Sequence, residues 1–71
     1  MQKIEHRTLE PHQHRVVTER LELVEKIEKL EVFMDGPHFA LIPEAERERL
    51  RLQQKYMRLY AAVLSERIEA F

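Results

Sequence analysis

Four histidines are the residues of this 71-residue sequence that first suggest chemistry, because imidazole binds metals and transfers protons near neutral pH. His12 and His14 are two positions apart, which on a helix separates their side chains by about 200° and keeps them from chelating one ion. The sequence does not fix the positions of the segments that carry His6 and His38. With no cysteine and no Glu-x-x-His pair inside the helices, it predicts no metal site.

The serine and threonine hydroxyls do not indicate a catalytic nucleophile either. Ser65 is the only serine, Thr8 and Thr18 are the only threonines, and no pattern marks any of them as an activated nucleophile. The single glycine, Gly36, rules out a glycine-rich phosphate loop. The sequence therefore predicts no catalytic residue, no cofactor and no enzymatic activity.

The start of the first helix offers a place for an anion. Pro11 suits the first helical position, which leaves the amides of residues 12 to 14 without intrahelical partners at the positive end of the helix dipole. Arg7 and Arg15 flank this start. In the alternative, side chains of the preceding arm cap these amides and the arginines pair with surface glutamates; the residues alone favour this alternative.

Two helices must position these groups. The first, residues 11 to 34, carries apolar residues in two neighbouring rows that cover nearly half of its surface, so we expect it to contact more than one neighbour. The segment 35 to 43 is predicted to be a turn: Gly36 tolerates a positive φ as the helix C-cap, Pro37 cannot continue the helix, and residues 39 to 42 tuck underneath. Residues 1 to 10 form a short arm or helical turn. The two rows are Val16, Leu23, Ile27, Leu30 and Met34, and Val17, Leu21 and Val24.

The second helix, residues 44 to 70, is apolar on two opposite faces. One face is predicted to pack against the first helix, and the other lies on the opposite side of the helix. A hairpin buries only one of them, so a second copy of the chain is predicted to cover the other; in the alternative, the arm covers it with Ile4 and Leu9. The packing face is Leu50, Met57, Ala61, Leu64, Ile68 and Phe71, and the second face is Leu52, Tyr56, Leu59 and Val63.

Composition limits the class of protein. The chain is long enough for one all-α domain. A domain of this size buries only about 60% of its unfolded surface and is marginally stable alone. Since the sequence has no cysteine for a disulfide, self-association is the expected source of further stability. Twelve Lys and Arg against thirteen Asp and Glu give a net charge of -1, which disfavours binding of a long nucleic acid. With neither a membrane-length apolar run nor a leader, we expect a soluble cytosolic protein without a membrane partner.

Four motifs in order carry a family resemblance. They are Pro-x-Gln-x-Arg-Val-Val at residues 11 to 17, Glu-Lys-Ile-Glu-Lys-Leu at 25 to 30, Leu-x-Pro-Glu at 41 to 44, and Leu-x-Glu-Arg-Ile at 64 to 68, followed by Phe71. Through them the chain resembles, over residues 11 to 71, the small phage proteins of the anti-CBASS cyclic-oligonucleotide sponge family. The resemblance implies a helical homohexamer without enzymatic activity. Such a protein sequesters the cyclic di- and trinucleotides, among them 3′,3′-cyclic GMP-AMP, that activate an antiphage defence in the infected bacterium's cytoplasm.

The resemblance also implies ligand sites. For cyclic dinucleotides, His12 matches an aromatic position that stacks on a base, where the family more often has tyrosine, and Lys26 matches a lysine that contacts phosphate, with Arg15 close enough to assist. These two matching residues are about 21 Å apart along one helix, so two protomers must form the site. Arg67 is the candidate for cyclic trinucleotides in a separate pore; alternatively it is an exposed arginine that interacts with the helix dipole.

The sequence leaves open the role of the two tyrosines, and it allows other functions. Tyr56 and Tyr60, one turn apart, are either a stacking platform or, as their apolar neighbours favour, interface packing. A structural oligomer or adaptor whose groove takes a partner helix would use the same apolar surface. A small hydrolase of the same signals is the other rival.

Overall fold

Two long antiparallel helices joined by a short turn make up this protein. The structure, a computed structural model, describes residues 8 to 71 and contains α1, Pro11–Asp35, a 3-10 turn, Phe39–Leu41, and α2, Glu44–Glu69. The predicted all-α hairpin is confirmed. The molecule is a rod of 48 × 21 × 17 Å, in which a narrow core runs between the helices.

The helix ends differ from the sequence prediction in detail. Gly36 caps α1 with φ −89° and ψ 173°, so the predicted positive φ is wrong, and its N–H donates to the Phe33 carbonyl at 3.1 Å. This extended cap lets α1 continue one residue beyond the predicted end. At the other end, α2 stops one residue early, where the Ala70 N–H donates to the carbonyls of Glu66 and Arg67.

The turn exposes part of the apolar segment that was predicted to tuck beneath it. The Phe39 ring packs edge to face on Phe33, with ring centroids 6.2 Å apart, and the Arg51 guanidinium lies 5.3 Å from the Phe39 centroid. Leu41, however, is 80% exposed, so the prediction is wrong for this residue. The short 3-10 turn points it away from the helices, since its neighbours Phe39 and Ile42 take the half-buried places.

The core lies between the apolar faces of α1 and α2, which the sequence predicted to pack against each other. Leu64 of α2 is fully buried, whereas Leu30, Met34 and Leu50, closer to the turn, are half-buried. Each fully buried aliphatic side chain contributes about 1.5 to 3 kcal/mol, so a core this small makes a single hairpin only marginally stable. The buried cluster is Val16, Leu23, Ile27 and Leu64, with Met57, Ala61, Ile68 and Phe71 packed against it.

The second apolar face of α2, which we call the outer face, is exposed. Leu52, Tyr56, Leu59 and Val63 retain 50%, 57%, 53% and 50% of their accessible surface, as predicted for a single hairpin. Residues 8 to 10 of the arm leave this face uncovered although Leu9 itself is buried, and Ile4 lies outside the described residues. The described part of the arm therefore does not support the alternative in which the arm covers this face.

One side of the hairpin, which we call the bonded side, is held by polar contacts between the helices. Arg20 Nε donates to Ser65 Oγ at 2.7 Å, Ser65 Oγ donates to the Ala61 carbonyl at 3.1 Å, and Arg58 pairs with Glu31. These contacts fix the register. The stretch of α1 from Arg20 to Glu31 lies level with the stretch of α2 from Ser65 back to Arg58.

Removing the Ser65 hydroxyl should weaken the hairpin. Ser65→Ala leaves the half-buried Arg20 Nε without its acceptor, and we expect a loss of about 1 kcal/mol of unfolding free energy. Denaturant titration followed by circular dichroism measures this loss. Thr18→Ala, which removes an exposed hydroxyl from the same protein, is the control; equal midpoints for the two variants would contradict a stabilising role of the Arg20 bond.

Candidate functional site

The predicted site residues of α1 share one flank of the helix. Successive residues of a helix are about 100° apart, which places His12, Arg15 and Lys26 within about 60° of one another. They lie on one side of the apolar core row of α1, and Arg20 and Glu31 lie on its other side. All three of these candidate side chains are exposed. The side of the hairpin away from the bonded side, which we call the open side, therefore carries them.

The same reasoning places part of α2 on the open side. Tyr60 and Arg67 lie about 60° and 80° from the core row of α2, on the flank opposite to Ser65 and Arg58. Because Ser65 and Arg58 bond to α1 across the bonded side, Tyr60 and Arg67 must lie on the side that also carries Lys26. All four residues predicted to bind ligand thus lie on one side of the protomer.

Register divides the open side into two groups. Lys26 lies between the two bonded positions of α1, so it is level with the part of α2 that contains Tyr60. Arg67 lies beyond Ser65, which brings it within about one helical turn of Arg15 along the axis. His12 lies at the open end of the hairpin, about 21 Å from Lys26 along α1. One compact ligand therefore cannot bridge His12 and Lys26 within a single protomer.

Three cations of the open side have no partner among the described residues. Within residues 8 to 71, Arg15, Lys26 and Arg67 form no ion pair and donate no side-chain hydrogen bond. Other arginines of α2 are engaged: Arg49 pairs with Glu46 at 2.8 Å, for instance. An exposed, unpaired cation makes electrostatic attraction to an incoming phosphate possible without first breaking a contact.

Acidic residues separate the two basic groups. Glu19 and Glu22 fall on the same flank of α1, between Arg15 and Lys26. A long polyanion laid along this side would meet carboxylates between the cations, whereas a compact anion at either group would not. This alternation favours small ligands over a nucleic acid chain.

The start of α1 is capped by the arm, which is the alternative that the residues favoured. The N–H groups of Gln13 and His14 both donate to the Glu10 carbonyl, at 2.9 and 3.0 Å, and the Glu10 N–H donates to Gln13 Oε1 at 2.8 Å. Of the three amides predicted to be free, only that of His12 has no partner in the described part of the chain. The structure therefore supports the alternative that the residues favoured, in which the arm caps these amides, and the Glu10 carbonyl is the acceptor for two of the donors. Arg7 lies outside the described residues.

Neither the remaining histidines nor Ser65 forms a reactive cluster. His14 and His38 are exposed on α1 and in the turn, His6 lies outside the described residues, and residues 8 to 71 contain no group of three potential metal ligands. The Ser65 hydroxyl accepts from Arg20 and donates to the Ala61 carbonyl, so its contacts are structural.

The sequence reasoning missed one relation, the placement of Tyr60 level with Lys26 along the hairpin. It grouped the two tyrosines as one apolar pair, although Tyr60 is 44% exposed and lies about 40° closer to the core row, and so to α1, than Tyr56. The seven-residue spacing from Tyr60 to Arg67, which puts both on one flank, was the available signal. Which flank of α2 lies on the same side of the hairpin as Lys26 depends on how the two helices face each other.

Comparison with known proteins gives one family. The family model described as Sequestin matches residues 10–70, which is most of the chain. This match confirms the resemblance to a sequestering family, and the family name indicates binding, not turnover. Neither a curated protein nor a solved structure matches the chain. No helix within residues 8 to 71 has the length and apolar character needed to cross a membrane.

Proposed function

Because this chain belongs to the Sequestin family, we propose that it is a phage immune-evasion protein that binds and sequesters cyclic di- and trinucleotide second messengers. Binding lowers the free messenger, and the bacterial CBASS defence is then not activated. The mechanism is stoichiometric, so it needs tight binding and abundance, with no chemical step. Its place of action is the cytoplasm of the infected host.

The observation that carries this proposal is the family match combined with the exposed cations of the open side. Cyclic oligonucleotides are compact, carry one phosphate per nucleotide, and present bases with exposed π faces. Lysine is a suitable point-charge partner for phosphate, and an aromatic ring is a suitable partner for a base. The open side carries both a lysine and aromatic side chains. Carboxylates lie between its cations, and this arrangement suits a small anion better than a long one.

The cyclic dinucleotide site lies between two protomers in this proposal. His12 and Lys26 are about 21 Å apart along α1, too far for one compact ligand, so α1 of one protomer runs beside α1 of another. The His12 end of each then lies near the Lys26 region of its neighbour, with Arg15 assisting. Imidazole stacks on the base and the lysine ammonium holds the phosphate.

The outer face supplies the reason for assembly. Four half-exposed apolar side chains on α2 lie in solvent in a single hairpin, and burial of each in a seam contributes up to about 1.5 to 3 kcal/mol. We propose a homohexamer, the assembly that the family resemblance implies. Arg67 would then face the phosphates of a cyclic trinucleotide in a pore to which three protomers contribute.

The experiment is calorimetric titration of the purified protein with 3′,3′-cyclic GMP-AMP and with a panel of cyclic di- and trinucleotides. We expect heat at micromolar concentrations, and chromatography of the ligand after denaturation should recover it unchanged. Absence of heat for the whole panel would refute the proposal. Recovery of linear products would instead support the hydrolase.

Lys26→Ala should weaken cyclic GMP-AMP binding at least tenfold, since it removes a charge-assisted phosphate contact of about 1.5 to 3 kcal/mol. Lys55→Ala is the matched control, because it removes the same charge from the far side of α2. Both variants should keep the native mass of the wild type. Equal affinities for the two variants would assign the binding to general charge attraction and not to Lys26.

A structural oligomer or adaptor with no small-molecule ligand is the second candidate. The exposed outer face favours it, because an apolar face of this kind also fits a partner helix. His12→Ala and Lys26→Ala distinguish the two functions. A sponge stays assembled and loses its ligand, whereas an adaptor loses nothing measurable.

A further inference from the structure

We propose that Tyr60 is a further ligand-binding residue, whose ring stacks on a base of the same cyclic nucleotide whose phosphate Lys26 holds. This inference rests on the proposed function and adds a residue to its site. The argument comes from the contacts of the aromatic residues and from the register of the two helices.

Tyr60 is the aromatic residue without a partner in the part of the chain that the structure describes. Phe33 and Phe39 pack on each other, Phe71 packs against the core, and Tyr56 has the Lys55 ammonium 6.0 Å from its ring centroid. Among residues 8 to 71, Tyr60 takes part in no ring pair, cation contact or side-chain hydrogen bond. With 44% of its surface exposed, the side chain can be reached from solvent.

The register puts this ring beside the phosphate-binding lysine. The Arg20 to Ser65 hydrogen bond and the Glu31 to Arg58 pair bracket Lys26 on one helix and Tyr60 on the other. Both residues lie on the open side, so a single protomer presents an aromatic ring and an ammonium at the same level of the hairpin. That pairing matches a nucleotide, in which a base and a phosphate are joined through one sugar.

Tyr56 does not share this placement. It lies about 40° farther from the core row of α2, and so from α1, and belongs to the outer face, among Leu52, Leu59 and Val63. An assembly that covers the outer face would bury the Tyr56 ring, while Tyr60 stands at the edge of that face next to Lys26. The two tyrosines therefore have different roles.

A second ring also completes the recognition of a cyclic dinucleotide, which has two bases. In the proposed shared site, His12 of one protomer stacks on one base, and Tyr60 comes with Lys26 from the other protomer. A phenol ring presents a larger π face than an imidazole, and stacking on aromatic rings tolerates any base. Tyr60 would therefore supply much of the stacking affinity.

Tyrosine fluorescence tests this inference directly, because the sequence has two tyrosines and no tryptophan. Tyr56→Phe leaves Tyr60 as the sole emitter, and Tyr60→Phe leaves Tyr56. On titration with 3′,3′-cyclic GMP-AMP, corrected for absorption by the ligand, we expect saturable quenching in the Tyr56→Phe protein and little in the Tyr60→Phe protein. Equal quenching in both proteins, or quenching in the Tyr60→Phe protein alone, would overturn the assignment.

Affinity provides the second measurement. Tyr60→Leu keeps an apolar side chain for packing but removes the π face, and we expect binding about tenfold or more weaker at unchanged native mass, with Tyr60→Phe close to the wild type. Wild-type affinity in Tyr60→Leu would refute the role of Tyr60 and leave the proposed function standing. If the wild-type protein itself gave no binding heat, the proposed function would fail, and this inference with it.

Discussion

Replacing both Leu59 and Val63 by aspartate should separate the assembly into single hairpins. The two residues are 53% and 50% exposed in one chain and belong to the outer face, which we propose to be a seam between protomers. The double variant loses the burial of two aliphatic side chains, about 1.5 to 3 kcal/mol each, and places two carboxylates in an apolar seam at a further desolvation cost. The same loss repeats at every seam that the outer face forms.

Sedimentation or native mass spectrometry measures the change, and calorimetry follows the ligand. Because the cyclic dinucleotide site is shared between protomers in our proposal, binding should disappear together with the assembly. The matched control replaces Val32 and Leu41 by aspartate, since these two residues are 73% and 80% exposed and lie outside the outer face. An unchanged native mass of the Leu59 and Val63 variant, or dissociation of both double variants, would contradict the seam.

Leu64→Ala should destabilise the fold more than any other single substitution considered for this chain. Leu64 is the fully buried residue at the centre of the core cluster, where it packs among Val16, Leu23 and Ile27. Truncation of such a leucine costs about 2 to 5 kcal/mol, because it loses transfer free energy and leaves a cavity. A domain of this size has little more stability than that to lose.

Thermal and denaturant unfolding followed by circular dichroism check this expectation. We expect the Leu64→Ala midpoint to fall sharply, with loss of helicity at ambient temperature if the assembly does not compensate. Leu41→Ala, at a position 80% exposed, is the control and should lie within about 0.5 kcal/mol of the wild type. Similar midpoints for the two leucine variants would mean that the core lies elsewhere.

The candidate site shows where sequence reasoning succeeded and where it did not. The residue types of His12, Arg15, Lys26 and Arg67 suggested a phosphate and base ligand through the family pattern, and the structure leaves all four exposed. The residues favoured capping of the amides at the start of α1 by the arm, but they did not identify the Glu10 carbonyl as the acceptor for two of them, because the path of the backbone decides which acceptor reaches the donors. Residue types do not fix that path.

The sequence by itself determined the two helices, their packing faces and the exposed outer face. These features follow from the local helical period, which fixes the direction of each side chain around its own axis whatever the rest of the chain does. Glycine and proline ended the first helix for equally local reasons, although the conformation of Gly36 differed from the expected one.

Only the tertiary structure decided how the two helices face each other. The contacts of Arg20 with Ser65 and of Glu31 with Arg58 join residues far apart in sequence, and they set both the register and the bonded side. Lys26 comes level with Tyr60 on the open side as a consequence. No periodicity within either helix encodes this relation, because sliding or rotating one helix against the other changes every cross-helix neighbour and leaves each helix unaltered.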